Sequence, residues 1–234
     1  MTRKEELATR LAQVQAQIVE AAEAAGRDPK SVKLLPVTKF HPASDIALLH
    51  ELSVTEVAEN REQEARSKAE SLPDMAFHMI GQIQTKKANS VARWASCVHS
   101  VDSIRLADAL SRGVGLAIER GDRSEESLPC LIQLSLDGDA ARGGVAAQDV
   151  AKLADAIESA PHLHLAGLMC VPPLGWEPRD AFSQASEVHQ QLANTYGRPM
   201  EFSAGMSGDM TEAIACGSTI VRVGTAILGS RPLP

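Results

Sequence analysis

Eight short apolar runs alternate with helical patterns along the chain, and this alternation restricts the fold more than any other feature. The predicted strands cover residues 32–39, 54–58, 77–80, 97–101, 129–136, 163–169, 200–203 and 219–223. The predicted helices cover residues 3–25, 43–52, 62–70, 86–94, 104–119, 148–160, 178–196 and 209–215. A strand followed each time by a helix predicts an α/β fold, a closed parallel (β/α)8 TIM barrel. Since the last strand lies close to the C-terminus, we expect the N-terminal helix to cover it.

Length and composition narrow the class of protein. A chain of 234 residues is compatible with one domain over residues 1–234, and 44% apolar with 23% charged residues is ordinary globular composition. An aromatic content of 3% and a net charge of -7 argue against a nucleic-acid partner. No apolar run reaches the roughly 18 residues of a membrane span, and the N-terminal segment has no signal-peptide pattern. We therefore expect a cytoplasmic protein without a membrane partner.

Metal and redox sites have little support in the sequence. The four cysteines lack a CxxC spacing and are interpreted as small buried apolar residues: Cys97, Cys130, Cys170 and Cys216. His162 and His164 share one face of a predicted strand, but the sequence places no third ligand beside them. No metal site is expected.

The carboxyl ends of the strands are where a parallel barrel carries its chemistry. The residues predicted at these ends are Lys39, Asn60, Gly81, Asp102, Met169, Ser203 and the pair Gly224 and Thr225. The segments after the last two strands are rich in small residues and hydroxyls, as is usual for a phosphate site in this architecture. A phosphate near an amine suggests a phosphorylated carbonyl compound as the ligand.

Lys39 has two interpretations. A lysine at the end of a buried strand can extend its ammonium to solvent, which is the simpler structural interpretation. Alternatively, burial lowers the pKa of the amine, and a neutral amine is a nucleophile towards carbonyl groups.

Five segments together resemble the pyridoxal phosphate homeostasis protein family, the single-domain relatives of the alanine racemase N-terminal barrel. They are LLPVTKFHP, AEN, FHMIGQIQTKKAN, AGLMCVPP and FSAGMSGDMTEAIACGSTIVRVGTAILGSR. The matches extend from the first predicted strand to the last. The resemblance therefore implies the alanine racemase N-terminal-domain-like barrel, the fold type III of enzymes dependent on pyridoxal 5'-phosphate (PLP).

The resemblance implies that Lys39 carries PLP as a Schiff base. It also implies that Arg222 faces the pyridine nitrogen of PLP, where a permanent cation disfavours protonation of that nitrogen and restrains carbanion chemistry. An interior salt bridge is the alternative for Arg222. The residues that match the family's phosphate site are Ser203, Met206, Ser207, Gly224 and Thr225, and Asn60 lines the cofactor cleft. Ser207 as a helix cap and Gly205 and Gly224 as turn glycines are compatible structural interpretations.

The sequence departs from the family pattern at two places. Gln82 replaces a histidine that commonly follows the third strand, so any titratable role of that histidine is absent. Lys86 and Lys87 form a basic pair near the barrel mouth, which we interpret as a solvated helix face. His41 is expected in the turn after the first strand.

The implied function is PLP binding in intracellular PLP, vitamin B6 and amino-acid homeostasis, without robust catalysis. Two-base racemisation needs a tyrosine from a further domain, and Tyr196, the one tyrosine, falls in a predicted helix. A weak PLP-dependent amino-acid racemase and a Schiff-base aldolase are the alternatives. PLP is the expected ligand, apo-enzymes that depend on PLP are candidate partners, and a monomer is expected.

Overall fold

The computed structural model describes residues 1–139 and 141–230, and within them parallel strands alternate with helices around a barrel. The strands are β1 (Lys33–Pro36), β2 (Glu56–Glu59), β3 (Ala76–Met79), β4 (Ala95–Val101), β5 (Leu128–Ser135), β6 (Val145–Ala146), β7 (Leu163–Cys170), β8 (Glu201–Ser203) and β9 (Ile220–Val223). The helices are α1 (Arg3–Ala24), α2 (Ala43–Glu51), α3 (Glu62–Ser71), α4 (Ala88–Trp94), α5 (Ile104–Glu119), α6 (Val150–Glu158), α7 (Pro178–Tyr196), α8 (Met210–Ala215) and α9 (Thr225–Leu228).

The sheet is closed by its first two strands. The strands follow the order β1-β9-β8-β7-β5-β4-β3-β2, and every pair in this path is parallel. Val37, just after β1, forms a parallel bridge with Ala58 of β2, and the Thr38 amide donates to the Ala58 carbonyl at 3.0 Å. These contacts join the two ends of the path, so the predicted (β/α)8 barrel is confirmed.

The predicted strands and helices are found in the predicted order, with ends shifted by a few residues. The two-residue strand β6, which pairs with β5, was not predicted because it is too short to show a periodicity. The first strand is shorter than expected. It ends at Pro36, so Lys39 lies in the turn that follows it rather than in the strand.

Helix α1 covers the last strand, β9, as expected from the position of that strand near the C-terminus. Thr2 caps the helix and forms a capping box with Glu5, and Gly26 follows its end with φ of +67°. The buried face of α1 packs in one cluster with apolar residues of α2, α8, β9 and α9. Arg3 at its start donates to both carboxylate oxygens of Asp45, at 2.6 and 3.2 Å, which ties α1 to α2.

Alternation along the strands separates an apolar outer layer from a polar barrel interior. On β9, Val221 and Val223 belong to the cluster under α1, whereas Ile220 and Arg222 point to the other face. The polar side chains buried within the barrel include His78, His99, Ser203 and Arg222. The interior therefore holds charged and hydrogen-bonding groups beside two small apolar clusters, which include Leu35 with Ile220 and Leu131 with Met169.

Within residues 1–139 and 141–230, no helix is both long and apolar enough to cross a membrane.

Candidate functional site

Lys39 lies in a tight turn at the carboxyl end of β1. The His41 amide donates to the Thr38 carbonyl at 3.1 Å, which closes this turn. Phe40 within it has φ of +69°, a left-handed conformation that is uncommon for a residue other than glycine. His41 lies in the same turn and is 6% exposed, in agreement with its predicted location. The turn presents the half-buried Lys39 to a cavity of about 290 Å³.

A cluster of buried charges fixes the backbone on both sides of Lys39. The Lys68 ammonium donates to the Thr38 carbonyl at 2.9 Å, to Glu59 at 2.6 Å and to Glu64 at 2.7 Å. The same Glu59 oxygen accepts from the Thr38 hydroxyl at 2.6 Å. Glu64 also accepts from the Phe40 amide at 2.6 Å, so it holds the strained residue in place. We call Thr38, Glu59, Glu64 and Lys68 the turn clamp.

Glu59 is the carboxyl group of the turn clamp that burial destabilises most in its charged form. It is fully buried, and burial raises the pKa of its carboxyl, although the hydrogen bonds from Lys68 and Thr38 act in the opposite direction. Its second oxygen, Oε2, has no hydrogen-bond partner among the described residues. A buried carboxylate of this kind requires Lys68 to stay in place.

The cavity beside Lys39 brings together six of the eight residues predicted to bind the cofactor. The residues of that set that line it are Lys39, Met206, Ser207, Arg222, Gly224 and Thr225. They come from the segments after β1 and β8, from β9, and from the start of α9. Their convergence follows from the parallel sheet, which puts the carboxyl ends of β1, β8 and β9 side by side.

The segment after β8 is shaped by a glycine and a carboxylate. Gly205 has φ of +92°, and a Cβ there would lie 2.6 Å from the Ala213 side chain, so the position requires glycine. Asp209 accepts from the Met206 amide at 2.6 Å. Burial raises the pKa of Asp209, while the Met206 amide and the charge of Arg222 partly offset that effect. The segment thereby presents Ser207 and Gly208 to the cavity.

Arg222 is a buried cation at this cavity. It is 3% exposed, and it donates to the Ser203 hydroxyl at 2.7 Å and to the Cys170 carbonyl at 3.0 Å. None of the ion pairs among the described residues includes it, so the interior salt bridge considered as an alternative is not formed. Burial lowers the pKa of Arg222 to about 10, which leaves it a cation at neutral pH.

Two of the predicted residues do not line the Lys39 cavity. Ser203 is fully buried, with its hydroxyl between Arg222 and His99. Asn60 lines an adjoining cavity of about 320 Å³ together with Gly81 and Gln82, and Ile80 lines both cavities. Asn60 therefore lies at the same end of the barrel as Lys39, in the neighbouring cavity.

Sequence reasoning missed two buried polar groups. The turn clamp was hidden because residues 62–70 have the pattern of a solvated polar helix, and only the packing of α3 on β2 buries Lys68. The second group contains His78, Cys97 and His99, whose possible ligand atoms lie within 4.8 Å of one another. The sequence did contain a signal for this group. Side chains alternate along a strand, so His78 must face the barrel interior when its neighbours Phe77 and Met79 face outward.

The lysine pair and the two histidines of the HxH pattern lie close to where the sequence suggested. Lys86 and Lys87 are both exposed, as a solvated face requires, and Lys87 pairs with Glu62 at 3.1 Å. His162 is near the Glu126 carbonyl, and neither it nor His164 belongs to the histidine and cysteine group.

The remaining side chains of interest are the tyrosine and the cysteines. The Tyr196 hydroxyl donates to Asp155 of α6 at 2.7 Å, so this tyrosine is engaged among the outer helices. Cys97, Cys130 and Cys170 are buried thiols, whereas Cys216 is half-buried, and none of the four forms a disulfide.

Comparison with known proteins identifies the family. The family model of the alanine racemase N-terminal domain matches residues 9–232. A Corynebacterium glutamicum protein named pyridoxal phosphate homeostasis protein is 62% identical, over 94% of this chain and 100% of the relative. The chain belongs to the pyridoxal phosphate homeostasis protein family. A member of this family from Mycobacterium tuberculosis is 42% identical over 99% of this chain and 95% of the relative.

Solved structures agree with this assignment. The structure of PipY from Synechococcus elongatus with PLP bound is 32% identical, has a TM-score of 0.80 and covers 95% of this chain and 100% of that one. The alanine racemase of Corynebacterium glutamicum is 17% identical with a TM-score of 0.67, over 98% of this chain and 62% of that one. The racemase comparison shows the shared barrel alone.

Proposed function

We propose that this protein binds PLP covalently at Lys39 and takes part in intracellular PLP, vitamin B6 and amino-acid homeostasis. The relatives that share most of its length are named for that role, and a structural neighbour has PLP bound. The observation that carries the proposal is the meeting of Lys39 and the buried cation Arg222 in one cavity with Ser207 and Thr225.

The residues of this cavity fit the chemistry of the cofactor. Its volume of about 290 Å³ is near the lower end of the roughly 300 Å³ to 1,000 Å³ typical of small-molecule sites. The Ser207 and Thr225 hydroxyls, with the backbone at Gly208 and Gly224, supply the donors and open space that a phosphate group needs. Gly224 packs closely against the segment after β1, because a Cβ there would lie 3.1 Å from the Val37 carbonyl oxygen.

Covalent attachment depends on the Lys39 amine. The Lys39 amine would hold PLP through the aldehyde group of the cofactor, and it must be unprotonated to do so. PLP supplies an aldehyde and an aromatic ring that withdraws electrons. The protein supplies a turn held by the turn clamp, which keeps the Lys39 backbone in one position.

Arg222 tunes the cofactor towards storage and delivery. A cation beside the pyridine nitrogen disfavours a proton there, and an unprotonated ring is a weaker electron sink for carbanion chemistry. Arg222 has no acidic partner among the described ion pairs, so its charge is available to the ring.

Amino-acid racemisation is not favoured by these observations. Tyr196 is bonded to Asp155 between α6 and α7 and does not line the Lys39 cavity. We propose no robust catalytic activity, with apo-enzymes that depend on PLP as recipients of the cofactor. Four unpaired thiols are compatible with the reducing cytoplasm, where we place the protein.

The test is the absorption spectrum of the purified protein with added PLP, followed by borohydride reduction and peptide mapping. We expect a visible band, and we expect the reduced pyridoxyl group on Lys39. Lys39→Ala removes the amine that forms the covalent bond and therefore the band. Lys86→Ala is the matched control, because it removes an exposed lysine near the barrel mouth and leaves the cavity intact.

Two results would contradict the proposal. One is a wild-type protein that takes up no added PLP. The other is a pyridoxyl group that maps to Lys86 or another surface lysine with equal yield in wild type and Lys39→Ala.

A further inference from the structure

A chain of four buried side chains crosses the barrel interior and ends at the Lys39 cavity. His78 Nδ1 lies 2.9 Å from His99 Nε2, and His99 Nδ1 lies 2.9 Å from the Ser203 hydroxyl. Arg222 donates to the same hydroxyl at 2.7 Å. The four side chains come from β3, β4, β8 and β9, and they are 5%, 0%, 0% and 3% exposed in that order.

The far end of this chain reaches a second cavity. His78 lines a cavity of about 610 Å³ together with Lys33, Glu56 and Cys97. The free ring nitrogen of His78, Nε2, lies 3.8 Å from a carboxylate oxygen of Glu56. This cavity lies at the amino end of the barrel, because Lys33 is the first residue of β1 and Glu56 is the first residue of β2. The chain thus spans the barrel from one end to the other.

The direction of the hydrogen bonds is determined by Arg222. A guanidinium can only donate, so the Ser203 oxygen accepts from it. The Ser203 proton then points to His99 Nδ1, His99 Nε2 carries a proton and donates to His78 Nδ1, and His78 Nε2 carries a proton facing Glu56. In this direction the Ser203 proton and the His99 proton each have an acceptor within hydrogen-bond distance.

The reverse direction leaves groups unsatisfied. If His99 Nδ1 donated to Ser203, the Ser203 proton would have no acceptor among the described contacts. The Ser203 proton is therefore the group that distinguishes the two directions. Burial lowers the pKa of His78 to about 4 and that of His99 well below its usual value, so both rings are neutral near pH 7.

We propose that His99, backed by His78, is a positioning residue that orients the Ser203 hydroxyl and thereby holds the Arg222 guanidinium towards the cofactor cavity. The link to the cofactor rests on the proposed function, whereas the hydrogen-bond direction does not. Since His99 accepts the Ser203 proton, the lone pairs of Ser203 face Arg222, and the guanidinium keeps one orientation. His99 acts through Ser203 and makes no contact with the cavity.

A different occupant of the same atoms would exclude this role. His78, Cys97 and His99 have ligand atoms within 4.8 Å of one another, close enough for one divalent cation. A metal bound through His78 Nδ1 and His99 Nε2 would need a lone pair on both nitrogens and would remove the hydrogen bond between them. The directed chain and a bound metal are therefore mutually exclusive, and one experiment distinguishes them.

The first test measures the histidine tautomers in the protein without PLP. Two-bond ¹H–¹⁵N correlation spectra of protein labelled at histidine nitrogens distinguish protonated from unprotonated ring nitrogens, and His78→Gln and His99→Gln assign the signals. We expect both rings neutral at pH 7 with the proton on Nε2. A proton on His99 Nδ1, a doubly protonated ring, or stoichiometric zinc in the purified protein would overturn the proposal.

The second test measures PLP affinity in variants of His99. His99→Phe removes the acceptor for Ser203, and we expect the Kd for PLP to rise about fivefold, the size expected for one hydrogen bond of about 1 kcal/mol between neutral groups. His99→Gln keeps an acceptor and a donor in its amide and restores part of the affinity. His164→Phe is the matched control, an exposed strand histidine outside the chain, and leaves Kd unchanged.

The outcomes separate this inference from the proposed function. If wild type binds no PLP, the proposed function fails, and the tautomer measurement still tests the chain. If wild type binds PLP and a folded His99→Phe binds it equally well, the positioning role is wrong and PLP binding stands. Folding of each variant is checked by its thermal unfolding midpoint.

Discussion

Lys39 is held between two residues whose backbone groups are bonded to buried charges. On one side, the Thr38 carbonyl accepts a hydrogen bond from Lys68, and the Thr38 hydroxyl donates one to Glu59. On the other side, the Phe40 amide donates a hydrogen bond to Glu64. The left-handed φ of Phe40 costs free energy that these bonds offset. A nucleophilic amine gains from this arrangement because its backbone does not have to be ordered when a ligand binds.

Removing one member of the turn clamp leaves a buried charge unpaired. We expect Lys68→Met to lower the free energy of unfolding by about 3–5 kcal/mol, because Glu59 is fully buried and loses its cation. The double variant Lys68→Met with Glu59→Met is expected to recover much of that loss, since no charge remains to be buried. Urea unfolding followed by circular dichroism measures both.

The control for this prediction is Lys87→Met. Lys87 pairs with Glu62 at 3.1 Å, and its own side chain is 48% exposed. Glu62 is largely buried but keeps Ser90 and Arg66 as partners, so we expect the loss of Lys87 to cost about 0–1 kcal/mol. Equal losses for Lys68→Met and Lys87→Met would show that burial does not set the value of the Lys68 pair.

At the scale of elements, the pairing of β7 with its two neighbours depends on one glycine. Cys130 of β5 pairs with Leu165 of β7 and Leu131 pairs with Gly167, so Ala166 is an extra residue on β7. Gly167 has φ of +153°, and a Cβ there would lie 1.9 Å from the Glu201 carbonyl oxygen of β8. This bulge sets the register of β8, and hence the position of Ser203 and the segment that follows it.

Alanine substitutions at Gly167 and Gly121 distinguish a steric clash from backbone strain, because both glycines have a positive φ but only Gly167 lies against another strand. We expect Gly167→Ala to lower the free energy of unfolding by more than about 2 kcal/mol, because the β8 backbone must move away from the added Cβ. Gly121→Ala is the control, with φ of +74° and no atom within 4 Å of the added Cβ, and is expected to cost about 1 kcal/mol. Differential scanning calorimetry gives both values, and a smaller loss for Gly167→Ala would contradict the close contact of β7 with β8.

At the scale of the whole molecule, α1 completes the barrel. The neighbouring strands β1 and β9 lie at opposite ends of the sequence, and α1 packs with α8 and α9 on the outer side of β9. Its first turn reaches both neighbours, because Arg3 bonds Asp45 of α2 and also donates to the Leu228 carbonyl at 2.9 Å. The helix thus joins the start of the chain to the strand that carries Arg222.

The contribution of α1 is measured by a pair of substitutions on the same helix. Leu7 lies on the buried face of α1 and is fully buried. We expect Leu7→Ala to lower the free energy of unfolding by about 2–5 kcal/mol. Val19 is 41% exposed, and Val19→Ala is expected to change stability by no more than about 0.5 kcal/mol. A loss below about 1 kcal/mol for Leu7→Ala in urea unfolding would mean that the barrel does not depend on this helix.

Two predictions about the whole molecule stay predictions. One is that residues 1–234 form one domain, and the other is that the protein is a monomer. Large apolar residues that are exposed are few among the described residues, which is compatible with the second.

The sequence by itself determined the barrel and the convergence of Lys39, Gly224 and Thr225, and the family resemblance implied that Ser207 and Arg222 belong to the same site. Strand and helix periodicities are local, and parallel strands necessarily bring their carboxyl ends to one face of the barrel. Only the tertiary structure decided that Ser203 points to Arg222 and His99, that Asn60 lines the neighbouring cavity, and that Lys68 is buried. These outcomes depend on which atoms meet across elements far apart in the chain, because burial and hydrogen bonding are properties of contacts and not of local pattern.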